Sequence, residues 1–149
     1  MSEKKLSEEL SRPFFQIMQS MDNIYEEYAR KNDLTYMSMY ILETIYDRKK
    51  CTQKDISEMT LYPKQTVNMV IRTFLKREWI CFEETGDKRS KYVKLTDLGE
   101  SFAKRVIKPF WECAECAFAE LEEEERELML SLLTNFTHSF INKVNVLES

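Results

Sequence analysis

One stretch, Cys51 to Thr96, limits this chain more than any other. It reads CTQKDISEMTLYPKQTVNMVIRTFLKREWICFEETGDKRSKYVKLT. Two short helical patterns come first, joined by a tight Leu61-Tyr62-Pro63 turn. Two runs of strand character follow, Ile80 to Glu83 and Tyr92 to Leu95, alternating or apolar as short strands are. Between them lies Gly86-Asp87-Lys88-Arg89-Ser90, where Gly86 permits the turn. The order is helix, turn, helix, then a basic hairpin. The rest of the chain reads as apparatus for pairing two such units.

Composition supports a mainly helical chain. There are 149 residues, 43% hydrophobic, with only 2 Gly and 3 Pro. No apolar run approaches the roughly 20 residues that span a bilayer. The N-terminus, MSEKKLSEEL, lacks the apolar segment of a signal peptide, so a cytoplasmic protein is expected. The formal net charge of -4 argues against nucleic acid at first sight. Its distribution argues the other way. Between 51 and 95 stand nine basic side chains against six acidic ones, whereas Glu120 to Glu127 holds six Glu and one Arg. Local charge, not the total, decides contact with phosphates.

The flanks read as amphipathic helices. Residues 1–11 are polar, a loose arm or a frayed helix. Ser11 can cap a helix with Pro13 in its first turn, carrying Phe14, Ile17, Met21, Ile24 and Tyr28 on one stripe to about Lys31. Thr35 caps a second helix to about Arg48, and Thr52 a third, short one through Met59. There Asp55 stands where a capping box needs an acid. Pro63 opens a fourth, ending near Glu78, with Val67, Val70, Ile71, Phe74 and Leu75 inward. Thr96 caps a fifth, which Pro109 bends. The Glu122 to Glu125 run opens a sixth, where negative charge favours the helix dipole.

A helix in a major groove reads bases with its outward, N-terminal side chains. On the fourth helix these are Lys64, Gln65, Thr66, Asn68 and Met69, with Arg72 further along. Gln and Asn can pair bidentately with adenine, and Met can touch a thymine methyl. A solvated face of an ordinary core helix shows the same residue types. The turn and the basic hairpin beside it favour the reading role. In the hairpin, Arg89 suits a minor groove and Lys88 and Lys91 suit phosphates. Asp87 repels phosphate, and its expected use is an ion pair that poses the Arg89 guanidinium.

These residues resemble the MarR family of winged-helix transcription regulators along nearly the whole chain. The resemblance rests on Leu34-Thr35, Thr52-Gln53, Lys64-Gln65-Thr66-Val67, the wing Asp87-Lys88-Arg89, Leu95-Thr96 with Gly99, and the acidic run from Glu122. Many members have Gly where Glu78 stands and Arg where Met69 stands. The resemblance implies a mainly α fold with a small β-hairpin wing, a winged helix-turn-helix with N- and C-terminal dimerisation helices. It divides the chain into 1–34 for dimerisation, 35–96 for DNA binding, and 97–149 for a linker helix and a second dimerisation helix. The implied contacts to double-stranded DNA are Thr52, Gln53, Lys64, Gln65, Thr66, Asn68, Met69, Arg72, Asp87, Lys88, Arg89 and Lys91.

It further implies a homodimeric repressor of a palindromic operator, released by a small aromatic or anionic effector. Tyr25, Tyr28, Tyr36, Tyr40 and Trp111 are candidates to line the effector cleft, although each ring also suits ordinary packing. Cys113 and Cys116, one helical turn apart, are open to redox chemistry, to a metal with outside ligands, or to packing as small buried thiols. No Cys precedes Cys51, so a reactive thiol in the first helix is not implied. One His and no Gly-rich phosphate loop give no enzyme, and no cofactor or metal is expected. The alternatives are a winged-helix protein-interaction module without DNA binding, and a cysteine-based redox-responsive regulator.

Overall fold

The computed structural model describes residues 3–87 and 89–148. In chain order the elements are α1 (Glu3–Lys31), α2 (Tyr36–Arg48), β1 (Cys51–Thr52), α3 (Gln53–Thr60), α4 (Lys64–Lys76), β2 (Ile80–Glu84), β3 (Lys91–Leu95), α5 (Asp97–Ala119) and α6 (Glu123–Asn145). A short 3-10 turn, Val146–Glu148, follows α6. No described helix is long and apolar enough to cross a membrane.

Local capping sets most of the starts. Ser38 N donates to Thr35 Oγ1 at 3.2 Å and Thr35 N donates to Ser38 Oγ at 2.8 Å, which closes a capping box on α2. Thr52 and Asp55 close a second on α3, and Glu122 and Glu125 a third on α6. One expected start is corrected. Helix α1 does not begin after Ser11 but runs from Glu3, with Pro13 inside it. Leu10 extends the apolar stripe upstream of the proline, so the helical pattern has no reason to stop there.

Each of the first four helices leaves through a left-handed residue that is not glycine: Asp33 (φ 56°), Lys49 (φ 59°), Leu61 (φ 59°) and Glu78 (φ 57°). The exit at Glu78 therefore has the geometry that Gly would give, built without Gly.

The sheet is larger than the expected hairpin. β2 and β3 pair antiparallel, Phe82 opposite Val93, and β1 adds a third strand through Cys51 opposite Val93 and Thr52 opposite Tyr92. Strand order is β1-β3-β2. Two residues carry no alternation, so β1 leaves no sequence signal.

The core lies beneath this sheet and between the helices. Met39, Ile41, Leu42 and Ile45 of α2, Ile56 of α3, and Val67, Ile71 and Phe74 of α4 are buried. Trp79 closes the end of α4. Its ring lies against Phe74 at 5.5 Å and stacks on Phe102 of α5 at 3.9 Å. Gly99 permits that approach, since a Cβ there would fall onto the Trp79 carbonyl oxygen.

The chain divides into two compact units within α5, Met1–Ile107 and Lys108–Ser149. In the first, α1 keeps Leu10, Phe15, Ile17, Met18, Met21 and Ile24 exposed. In the second, α6 has no buried residue at all, and Leu128, Leu132, Phe136, Phe140 and Ile141 are exposed. Two helices with unburied apolar faces are the main feature of the flanks.

Candidate nucleic-acid interface

α4 turns Val67, Val70, Ile71 and Phe74 inward, which forces the intervening positions outward. Lys64, Gln65, Met69 and Arg72 are exposed, and Thr66 and Asn68 are half-buried. A groove along this face is lined by Lys64, Gln65, Thr66, Asn68, Met69, Arg72, Thr73 and Lys76. Met69 is 58% exposed and has no core role.

A second cleft, about 460 Å³, joins this face to the wing. Gln53 and Lys54 of α3, Lys64 and Asn68 of α4, and Phe82, Arg89, Ser90 and Lys91 of the wing line it. Residues as far apart in sequence as Gln53 and Lys91 thus share one surface, with positive charge from Lys54, Lys64, Arg89 and Lys91. Lys54 and Phe82 are additions that the sequence pattern did not single out. Phe82 is 39% exposed.

The wing loop is built by side-chain turns. Asp87 N donates to Thr85 Oγ1 at 3.1 Å, and the Thr85 hydroxyl lies 3.0 Å from the carbonyl oxygens of both Asp87 and Ser90. Ser90 N donates to Asp87 O at 3.1 Å. Arg89 N donates to Asp87 Oδ1 at 2.9 Å. This corrects the expected role of Asp87: its carboxylate holds the Arg89 backbone, not the guanidinium, and leaves that side chain exposed. A short acid two residues upstream reaches an amide more readily than the end of a long side chain. Lys88 lies outside the described residues.

Thr52 caps α3, as its place in the sequence predicts. Its N–H and hydroxyl both donate to Asp55 Oδ2 at 2.8 Å, and its Oγ1 accepts the Asp55 N–H at 3.1 Å. These bonds hold the Asp55 carboxyl below the usual carboxylate range, the backbone bond from Thr52 contributing most. Thr52 thus shapes the start of α3, while Gln53 lies in the cleft.

The wing lysines are partly neutralised. Lys91 Nζ lies 3.4 Å from Glu84. Glu83 accepts from Lys50 and, at 2.9 Å, from Lys94. These two hydrogen bonds bring the Glu83 carboxyl down to about 2, so it remains a counter-charge at any ordinary pH. Glu84→Gln should free Lys91 for phosphate. An exposed pair of this kind is worth about 0.2–1 kcal/mol, so affinity for duplexes of any sequence should rise roughly 2- to 5-fold. The salt slope should steepen by up to about one. Filter binding across a salt series measures both, and an unchanged slope would show that Lys91 does not meet phosphate.

Tyr25, Tyr36 and Tyr40 make consecutive ring contacts at 5.4 and 6.5 Å. Tyr28 instead donates its hydroxyl to Val106 O at 2.8 Å, which pins α1 to the first part of α5. Trp111 belongs to the second unit, in edge contact with Phe110 at 5.9 Å. Cys113 and Cys116 are both exposed, so burial does not account for them. Cys51 is the buried thiol, and burial pushes it up to about 11.

Residues 32–90 match the family model of the MarR family. Over 139 residues the chain is 25% identical to the HTH-type transcriptional regulator SarZ of Staphylococcus aureus, covering 93% of this chain and 90% of SarZ. The solved S. aureus MepR–DNA complex superposes with a TM-score of 0.72 at 25% identity, covering 88% of this chain and 97% of MepR. A MarR-family regulator from Neisseria meningitidis shares the fold with a TM-score of 0.72 at 23% identity, covering 94% of this chain and 96% of that one. With its reading helix, its wing and these relatives, the chain is similar to the MarR family of winged-helix, DNA-binding transcriptional regulators, whose model its residues 32–90 match.

Proposed function

We propose that this protein is a homodimeric repressor that binds a palindromic operator and leaves it when a small molecule binds. The observation that carries this reading is the cleft in which Lys64 and Asn68 of α4 meet Arg89 and Lys91 of the wing. A helix face with Gln65 and Asn68 suits base edges, and the wing suits backbone and minor groove. One such unit reads few bases. The exposed apolar faces of α1 and α6 suit burial against a second copy, which would set two units about 34 Å apart on DNA. Segments 1–34 and 97–149 then serve dimerisation, and 35–96 serves reading. On this reading the protein acts in the cytoplasm, where its operator DNA lies.

The test begins with duplexes selected by the protein from a random pool. Recovered sequences should be inverted repeats with half-site centres about 10 base pairs apart. On them, Arg89→Ala should weaken binding to every sequence, by about tenfold for a lost charge-assisted contact. Gln65→Ala should instead lose about 1–3 kcal/mol of discrimination at one position per half-site. If neither substitution changes retention of DNA, the cleft is not the reading surface and the proposal fails.

A further inference from the structure

We propose that Phe82 and Lys54 seat one strand of the DNA between α4 and the wing, Phe82 packing on a deoxyribose and Lys54 meeting a phosphate beside it. This names two further contact residues of the reading surface and rests on the regulator reading above.

The path of that strand follows from groove geometry. A helix in the major groove and a wing in the adjacent minor groove lie on opposite sides of one sugar-phosphate strand. The strand must therefore run through the cleft between them. In this chain Lys64 and Asn68 of α4 stand on one side of the cleft, and Arg89 and Lys91 of the wing on the other. Lys54 of α3 and Phe82 of β2 complete its lining.

The exposure of Phe82 comes from the order of the strands. Cys51 and Phe82 both stand opposite Val93, so the three form one row across β1, β3 and β2. Residues directly opposite one another put their side chains on one face of a sheet. Cys51 and Val93 are 3% and 0% exposed, which makes that face the core face. Phe82 belongs to the same row but stands on β2, an edge strand, and is 39% exposed. The row thus starts in the core and ends with a ring in the cleft.

A phenyl ring cannot neutralise a phosphate, so charge attraction gives it no part in holding DNA. The sugar does. Along a strand, anionic phosphates alternate with deoxyriboses, whose carbon faces are apolar. The cleft offers the complement, an apolar ring among the cations of Lys54, Lys64, Arg89 and Lys91. Ring on sugar removes apolar surface of both from water. Lys54 Nζ lies 3.6 Å from Glu58, with the two side chains 71% and 64% exposed. Such a pair is weak in water and yields readily to a phosphate. Neither contact touches a base, so both hold every sequence alike.

The test uses the full chain, duplexes selected from a random pool and one unrelated duplex, with filter binding across a salt series. Phe82→Gln should weaken binding to all of them by about five- to tenfold, with the salt slope unchanged because no phosphate contact is lost. Phe82→Leu keeps an apolar side chain and should lose less than about twofold. Lys54→Gln should weaken binding and lower the slope by about one for each copy bound. Hydroxyl-radical cleavage of the DNA, which attacks deoxyribose hydrogens, reads the sugar directly. The native chain and Phe82→Leu should protect sugars on the strand between the two grooves, and Phe82→Gln should lose part of that protection. Circular dichroism establishes that each variant is folded. Unchanged affinity or a lower slope in folded Phe82→Gln overturns the proposal, as does an unchanged slope in Lys54→Gln. Should Phe82→Gln fail to fold, sugars left unprotected by the native chain overturn it instead. Any of these results beside intact DNA retention by the native chain overturns this inference alone. Absent retention by the native chain overturns the regulator reading and this inference with it.

Discussion

Gly99→Ala should lower the melting temperature by about 10 °C, corresponding to roughly 3 kcal/mol in a chain of this size. The reason is a contact of backbone with backbone. A Cβ at Gly99 would fall onto the Trp79 carbonyl oxygen, 2.7 Å from its carbon and 2.9 Å from its Cα. No side chain can rotate away from such a clash, so the start of α5 must shift. That shift pulls on three further contacts. The Trp79 carbonyl accepts the Thr96 N–H at 2.9 Å. The Thr96 hydroxyl donates to Glu78 O at 2.7 Å. The Phe102 ring stacks on Trp79. Gly86→Ala is the control. It lies at φ 90° but has nothing within 4 Å of an added Cβ, so only backbone strain of about 1–2 kcal/mol applies. Thermal unfolding followed by circular dichroism compares the two. Should Gly99→Ala melt no lower than Gly86→Ala, the close approach of α5 to Trp79 is not limiting.

The second large effect concerns α6. Phe136 and Phe140 stack at 5.7 Å and are 41% and 46% exposed, on a helix with no buried residue. A 23-residue helix rarely holds its shape in water without tertiary burial. Replacing both rings with Glu adds two charges to the face proposed to meet a second copy. Sedimentation equilibrium should show the mass falling to that of a single 17.9 kDa chain. Affinity for a selected palindrome should fall by about 10²- to 10⁴-fold, the gain that linked binding supplies, while affinity for an isolated half-site stays nearly constant. A variant that remains dimeric would remove α6 from the proposed interface. One that becomes monomeric yet keeps its palindrome affinity would show that pairing is not what reads the operator.

What the sequence disclosed was local. Thr35 with Ser38, Thr52 with Asp55 and Glu122 with Glu125 lie three residues apart, so their capping bonds follow from spacing. The buried positions Val67, Val70, Ile71 and Phe74 of α4 followed from helical period for the same reason. Features that depend on distant residues were not legible. β1 is two residues long and exists only because β3 lies beside it. The pairing of Lys91 with Glu84 requires the hairpin register, which the turn alone did not set. At the wing, the type of residue was informative but its use was not, since Asp87 spends its carboxylate on an amide. Tyr62 was legible only as part of the Leu61-Tyr62-Pro63 turn, because its ring contact is with Tyr40 of α2.

Thr52 has a mechanical consequence. It pairs with Tyr92 as part of the wing sheet and is also the cap that starts α3. A single residue thus belongs to both halves of the reading head, with no linker between them. The wing cannot swing while the helices stay still. When the two halves meet a groove whose width differs from their own spacing, the duplex must adjust, since the protein has no joint at that place. Selection among operators would then depend partly on how easily each one narrows or bends, including at base pairs that no side chain touches.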